Sequence, residues 1–292
     1  MRADLHVHSN ASDGTDPPAE VMSRAAQAGL DVVALTDHDT VAGHAQARRS
    51  LPGSLTLVPG MELSCRLDDP VRGQHSLHLL AYLFDPEDPE LAAETRRIRD
   101  DRVLRARAMV DRLIGLGVPI TWDDVAAIAG AAVIGRPHIA RAMAASGAIE
   151  SPGQAFTQDW IADGGRAYVD RYALEPARAI GLVRAAGGVA VVAHPRANSE
   201  GGRGGGWVVT DEQIAELAAA GLAGVEVCHP DQSEAEQARL LGLTRDLGLI
   251  ATGGSDDHGS LTGHRIGSHT APAGAYESLI AQATGSRPVR SD

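Results

Sequence analysis

Six short apolar runs in this chain begin or stop abruptly at a histidine, an aspartate or a glutamate. Leu5-His6-Val7-His8 comes first, and an extended strand turns histidines at i and i+2 to the same side. Asp31-Val32-Val33-Ala34-Leu35-Thr36 leads into Asp37-His38-Asp39, and the run from Leu55 to Met61 leads into Glu62. His78-Leu79-Leu80-Ala81-Tyr82 carries its histidine at one end. Val189 to Ala193 meets His194-Pro195, and Leu249 to Thr252 is followed by Ser255-Asp256-Asp257-His258. Continuous apolar runs are the pattern of strands buried on both faces. A further run, 223–227, joins them, and helical stretches at 17–29, 211–220 and 233–247 fit between. This alternation predicts an α/β chain with a parallel sheet or barrel. In a barrel, the C-terminal strand ends converge on one face, where active sites are built. One polar strand end is ordinary solvation; a whole set predicts a site.

The rhythm breaks over 88–169, where helical patterns occur without a buried strand. Residues 91–116 read as one long helix rich in arginine and alanine, Thr121-Trp122-Asp123-Asp124 as a cap opening another, and Gly135-Arg136-Pro137-His138 as a third start with proline in its first turn. The expected organisation is a discontinuous barrel over 1–87 and 170–285, an inserted helical subdomain over 88–169, and a tail at 286–292 that frays. Gly201 to Gly206, five glycines around Arg203, reads as a flexible loop.

Composition excludes several classes. The 292 residues suffice for one large α/β core with an insertion. A formal charge of −12 argues against binding long nucleic acid. It leaves room for a phosphorylated substrate, because bound divalent ions reverse a local field. All 26 basic residues are arginine, which excludes a lysine-bearing phosphate loop and Schiff-base chemistry. No run of about 18 apolar residues marks a membrane span. The N-terminal residues carry no basic-then-apolar leader, and Cys65 and Cys228 make no disulfide framework, so a cytoplasmic location is expected.

Imidazole is the commonest metal ligand, and Asp13 in the loop after His8 can return towards the same place. The set His6-Val7-His8, Thr36-Asp37-His38-Asp39, His194-Pro195 and Ser255-Asp256-Asp257-His258, with Glu62 and His78 between, resembles the PHP (polymerase and histidinol phosphatase) family over nearly the whole chain. The resemblance implies a distorted (β/α)7 PHP barrel with an inserted small helical subdomain and two or three divalent ions. It would place His6, His8, Glu62 and Asp256 on one ion, let Glu62 bridge to a second with His78 and His194, and put Asp13, His38 and His258 on a third. This mixed donor set suits manganese, the first expectation, or zinc or iron. The expected reaction is phosphate ester cleavage by metal-activated hydroxide, with no phosphoenzyme.

Gly135-Arg136-Pro137-His138-Ile139-Ala140-Arg141 resembles the branch that removes the 3′-phosphate of nucleoside 3′,5′-bisphosphates (such as pAp to AMP), some members of which trim short RNA from the 5′ end. Arg136 can fork onto phosphate, and His138 can protonate a leaving oxygen or bind phosphate; both could equally serve the subdomain's own structure. Arg196, His229 and His264 are further candidate substrate contacts, with a turn as the alternative for His229. Arg196 departs from the pattern of many relatives, which place the arginine one residue later. Asp37 and Asp39 could orient ligands or simply form turns, and His75 reads as a surface residue. The expected partner is a small phosphorylated nucleotide or short RNA, with no long nucleic acid and no membrane. Rival readings are a 5′-3′ exoribonuclease, a histidinol phosphatase and a non-catalytic metal-binding accessory module. Arg136, His138 and the carboxylate at Asp13 argue against histidinol phosphatase.

Overall fold

A computed structural model describes residues 1–69, 73–130, 132–196 and 208–291. The Gly201 to Gly206 stretch, with Arg203, lies outside them. The barrel opens with β1 (Ala3–Val7), α1 (Pro18–Gln27), β2 (Val32–Leu35), α2 (His44–Arg49), β3 (Thr56–Asp69) and β4 (Gly73–Tyr82). The helical stretch brings α3 (Pro89–Gly115), α4 (Trp122–Ala129) and α5 (Arg136–Ala145). The chain then returns with α6 (Pro176–Ala185), β5 (Val189–Val192), α7 (Asp211–Ala219), β6 (Gly224–Cys228), α8 (Glu234–Leu247), β7 (Ile250–Gly253), α9 (Ala275–Gln282) and β8 (Val289–Arg290).

Strands β1 to β7 neighbour one another in chain order. Past the end of β7, Asp256 N donates to His6 O (2.8 Å) and His8 N to Asp257 O (2.9 Å), which nearly closes the barrel. Neighbouring residues on a strand enter different cores, which explains the unbroken apolar runs. Leu80 and Val191 join one apolar cluster, and Leu79 and Val192 another.

Two expectations are corrected. The sheet is not uniformly parallel, because β4 runs antiparallel to both β3 and β5. The β3–β4 ladder extends from Gly60↔Tyr82 to Asp69↔Gly73, so Glu62 and His78 lie within strands and not at their ends. Its outer arms, with charge and little apolar content, are illegible as strands by hydropathy; Arg66 N fastens one to Leu174 O (2.9 Å). The stretch after Gly285 does not fray either: Ser286 N donates to Leu83 O, and β8 pairs with β3.

Local chemistry sets the helix starts. The Asp88 carboxylate accepts from Leu91 N at the head of α3 (2.9 Å), and Thr121 and Asp124 cap α4 reciprocally. The 27-residue α3 belongs to two cores. Leu91 and Ile98 pack with the barrel, whereas Ala106, Met109, Val110 and Leu113 pack with Val125, Ile139 and Met143 of the helical stretch. That second core leans over the barrel mouth, where Val133 N reaches Ala11 O (3.2 Å).

Candidate metal centre

At the barrel mouth, Glu62 is 1% exposed and surrounded by imidazoles. Its Oε2 lies 3.1 Å from His6 Nε2 and 3.0 Å from His8 Nε2. Its Oε1 lies 2.7 Å from His78 Nδ1 and 3.1 Å from His194 Nε2. Asp256 Oδ1 stands 3.3 Å from both His6 Nε2 and His8 Nε2. Asp13 approaches His258 Nε2 (3.4 Å) and His38 Nε2 (3.8 Å), with His8 Nδ1 at 3.9 Å. The structure thus brings together all nine residues that the sequence singled out as ligands. His8 also borders the Asp13 group through its second nitrogen, and His38 Nδ1 faces Glu62 at 3.4 Å.

The donor set fits divalent ions. His8 Nδ1 and His38 Nδ1 are buried and make no hydrogen bond, a costly state without a cation to accept their lone pairs. His6 Nε2 and His8 Nε2 approach to 3.0 Å, and donor atoms of His6, His8, Glu62 and Asp256 all lie within 4.8 Å of one another. Burial opposes ionisation of Glu62, but His38, His6 and His78 overcome it and hold its carboxyl well below the usual range. Asp256 is held low against burial by His6 and His258. Both His194 (φ 27°) and Asp256 (φ 48°) have left-handed backbone, strain of the kind that concentrates at functional sites.

A cavity of about 260 Å³ opens beside the cluster. Asp13, His38, His78 and His194 line one side, and Arg102, Arg105, Arg136 and Arg171 another. The Arg102 fork holds buried Asp39 (2.7 and 2.9 Å) and Ser64. Arg105 bonds to Val169 O (2.6 Å), and Arg171 to Cys65 O (3.2 Å) and Ser76 Oγ (2.5 Å), all neutral acceptors. Burial, then the charge of Arg136, pulls Arg105 down to about 10; burial and Arg102 do the same to Arg171. Two covered cations with no carboxylate in ion-pair contact among the described residues make a place for an anion.

The other candidates divide. Arg136 lines the cavity but is bonded to Asp163 (2.5 Å) and Ile161 O. His138 is 2% exposed, and its Nδ1 accepts from Gly135 N (3.0 Å) at the start of α5; it does not line the cavity. Arg196 as a substrate contact is corrected: its side chain is buried and paired with Asp211 and Glu236. His229 is likewise 1% exposed and 3.4 Å from Asp256, so it faces the cluster and not a base or ribose. His264 stands 3.4 Å from Asp16, away from the cavity lining. His75 is buried. Asp37 receives the Ser9 and Ser12 hydroxyls (each 2.7 Å) and holds the loop that carries Asp13.

Sequence reasoning missed Arg102, Arg105 and Arg171, which nothing separates from 26 arginines. It also missed Glu226, which is fully buried and bonded to His6 Nδ1 (3.0 Å) and His194 N (2.8 Å). A glutamate within the buried run Val225-Glu226-Val227 was the available signal.

Residues 4–90 match the PHP domain. The 3′,5′-nucleoside bisphosphate phosphatase of Chromobacterium violaceum is 33% identical, covering 91% of this chain and 90% of its own. A 5′-3′ exoribonuclease of Haemophilus influenzae is 32% identical, over 87% and 89% respectively. A crystal structure described as a metal-dependent phosphoesterase of Bifidobacterium adolescentis superposes with a TM-score of 0.84 at 32% identity, over 97% of this chain and 96% of its own. Fold, donor cluster and relatives define a metal-dependent phosphoesterase, a hydrolase. The chain belongs to the PHP family.

Proposed function

We propose that this phosphoesterase removes the 3′-phosphate of nucleoside 3′,5′-bisphosphates, leaving the 5′-monophosphate. The observation that carries the reading is a cavity lined both by members of the donor cluster and by Arg105 and Arg171. One phosphate of a bisphosphate would meet the cluster, and the other the arginines. His6, His8, Glu62 and Asp256, with His78 and His194 beyond Glu62 and with Asp13, His38 and His258, would hold two or three ions. Divalent ions, when bound, lower the pKa of water and draw charge from phosphoryl oxygens. The arginines supply the second requirement of phosphoryl transfer, charge neutralisation and orientation. Arg136, released from Asp163, would add a further fork at the cavity wall. The nearby bisphosphate phosphatase relative supports this reading.

A second reading, a short-RNA 5′-3′ exoribonuclease, draws on another cavity of about 390 Å³ that shares Ser76, Arg105, Arg136, Asp163 and Arg171 with the first. It would take a further nucleotide. Histidinol phosphate carries a cationic amine, which four arginines repel.

Chromatography of the products formed with added Mn²⁺ from pAp, histidinol phosphate and a 5′-phosphorylated trinucleotide tests the proposal: hydrolysis releases inorganic phosphate from the first two and a nucleoside 5′-monophosphate from the third. AMP and phosphate from pAp are expected. Turnover of the trinucleotide but not pAp would replace the first reading with the second, and release from none would favour an accessory module.

A further inference from the structure

Glu226 holds two candidate ligands from behind. Its β6 neighbours Val225 and Val227 enter one apolar cluster, and strand alternation turns Glu226 to the opposite side, into the barrel. There its carboxylate meets His6 Nδ1 (Oε1 at 3.0 Å) and accepts from the backbone N–H of His194 (Oε2, 2.8 Å). The far nitrogen of His6, Nε2, faces Glu62, Asp256 and His8. A cation on that side is across the ring from Glu226.

An ionised carboxylate only accepts, so the hydrogen bond puts a proton on His6 Nδ1. In neutral imidazole this leaves the lone pair on Nε2, the nitrogen directed at the cluster. The other oxygen grips the amide of His194, whose φ of 27° needs its surroundings to keep it there. His194 faces Glu62 Oε1, and His6 faces Glu62 Oε2. We infer that Glu226 is a positioning residue that sets the tautomer of His6 and the backbone of His194, and so couples the ligands on both sides of Glu62. It touches neither substrate nor reacting atoms.

Glutamine is diagnostic because it keeps the shape while replacing one oxygen with an NH₂ group. Either rotamer sets that NH₂ against one of the two N–H donors. His6 must then move its proton to Nε2, or His194 loses its tether. Outer partners of metal ligands typically change affinity or activity about 10- to 100-fold. Equilibrium dialysis of Mn²⁺ against wild type, E226Q and E226D is expected to show the same number of ions, with at least one bound about 10- to 100-fold more weakly in E226Q. The metal concentration needed for half-maximal phosphate release shifts with it, and kcat recovers at saturating Mn²⁺. ¹⁵N-histidine spectra of the protein loaded with diamagnetic Zn²⁺ are expected to show His6 protonated at Nδ1 in wild type and that signal shifted or lost in E226Q. E226D keeps the charge on a shorter arm and carries the dialysis test if E226Q fails to fold. Unchanged Mn²⁺ affinity in a folded variant overturns the inference. So does outright loss of one ion with the others unaffected, which makes Glu226 itself a ligand. The inference rests on the barrel mouth being a metal centre: a wild-type chain that binds no ion overturns both, whereas wild-type binding with an indifferent E226Q overturns this one alone.

Discussion

Replacing Arg171 with methionine separates a substrate-binding arginine from a structural one. The guanidinium is pulled from its ordinary range down to about 10, by burial and by Arg102. That difference puts at most about 3 kcal/mol against the charged form in the empty protein. R171M relieves this cost but loses the bonds to Cys65 O and Ser76 Oγ, at about 1.5 kcal/mol each for a charged donor. The two effects nearly cancel, so Tm is expected to stay within about 3 °C of wild type. Substrate changes the balance, because the cation then meets phosphate. Losing two charge-assisted bonds at about 1.5 kcal/mol each lowers kcat/KM for pAp roughly 100-fold. Phosphate release and a thermal melt on the same preparation decide it. A melt lowered by about 8 °C or more, or kcat/KM within about threefold of wild type, would refute the reasoning.

Other consequences are as direct. Chelation should lower Tm, and Mn²⁺ at 100 times its dissociation constant should restore about 2.7 kcal/mol per site, several degrees for a chain of this size; an unaltered melt on adding metal would count against the donor cluster. Asp39→Asn leaves Arg102 without its buried carboxylate, so urea unfolding should show a loss of about 3 kcal/mol, and none would mean that the pair is dispensable. Gly254→Ala sets a Cβ 2.4 Å from that of His6; it should destabilise by about 1–3 kcal/mol and weaken Mn²⁺ binding, both measurable without substrate.

The candidate ligands were legible because they interrupt apolar runs: a histidine or aspartate after Leu35, Ala193 or Thr252 stands out against strand chemistry. Glu226 interrupts a run too, but lies inside it, and charge inside a strand shows its meaning only when its partners, His6 and His194, are far away in the chain. The reversed direction of β4 was illegible, because hydropathy carries no sense of direction. Nor did spacing separate Arg196, buried against Asp211 and Glu236, from Arg171, which faces the cavity. An arginine's role depends on which carboxylates reach it. The short helices α2 and α9 left too few turns for a 3.6-residue period to be read.

Helix α3 gives the helical stretch an unusual bond to the barrel. Because one continuous helix supplies Leu91 and Ile98 to the first core and Met109 and Leu113 to the second, the two bodies share a beam and not a linker. Arg102 and Arg105 sit on the span between those contacts, above the mouth. The stretch is therefore no exchangeable cassette: excising 88–169 would strip apolar side chains from the barrel along with the cavity's basic wall. Substitutions on the beam at Arg102 or Arg105 therefore act on the cavity wall through a helix that is tied to the stability of the barrel.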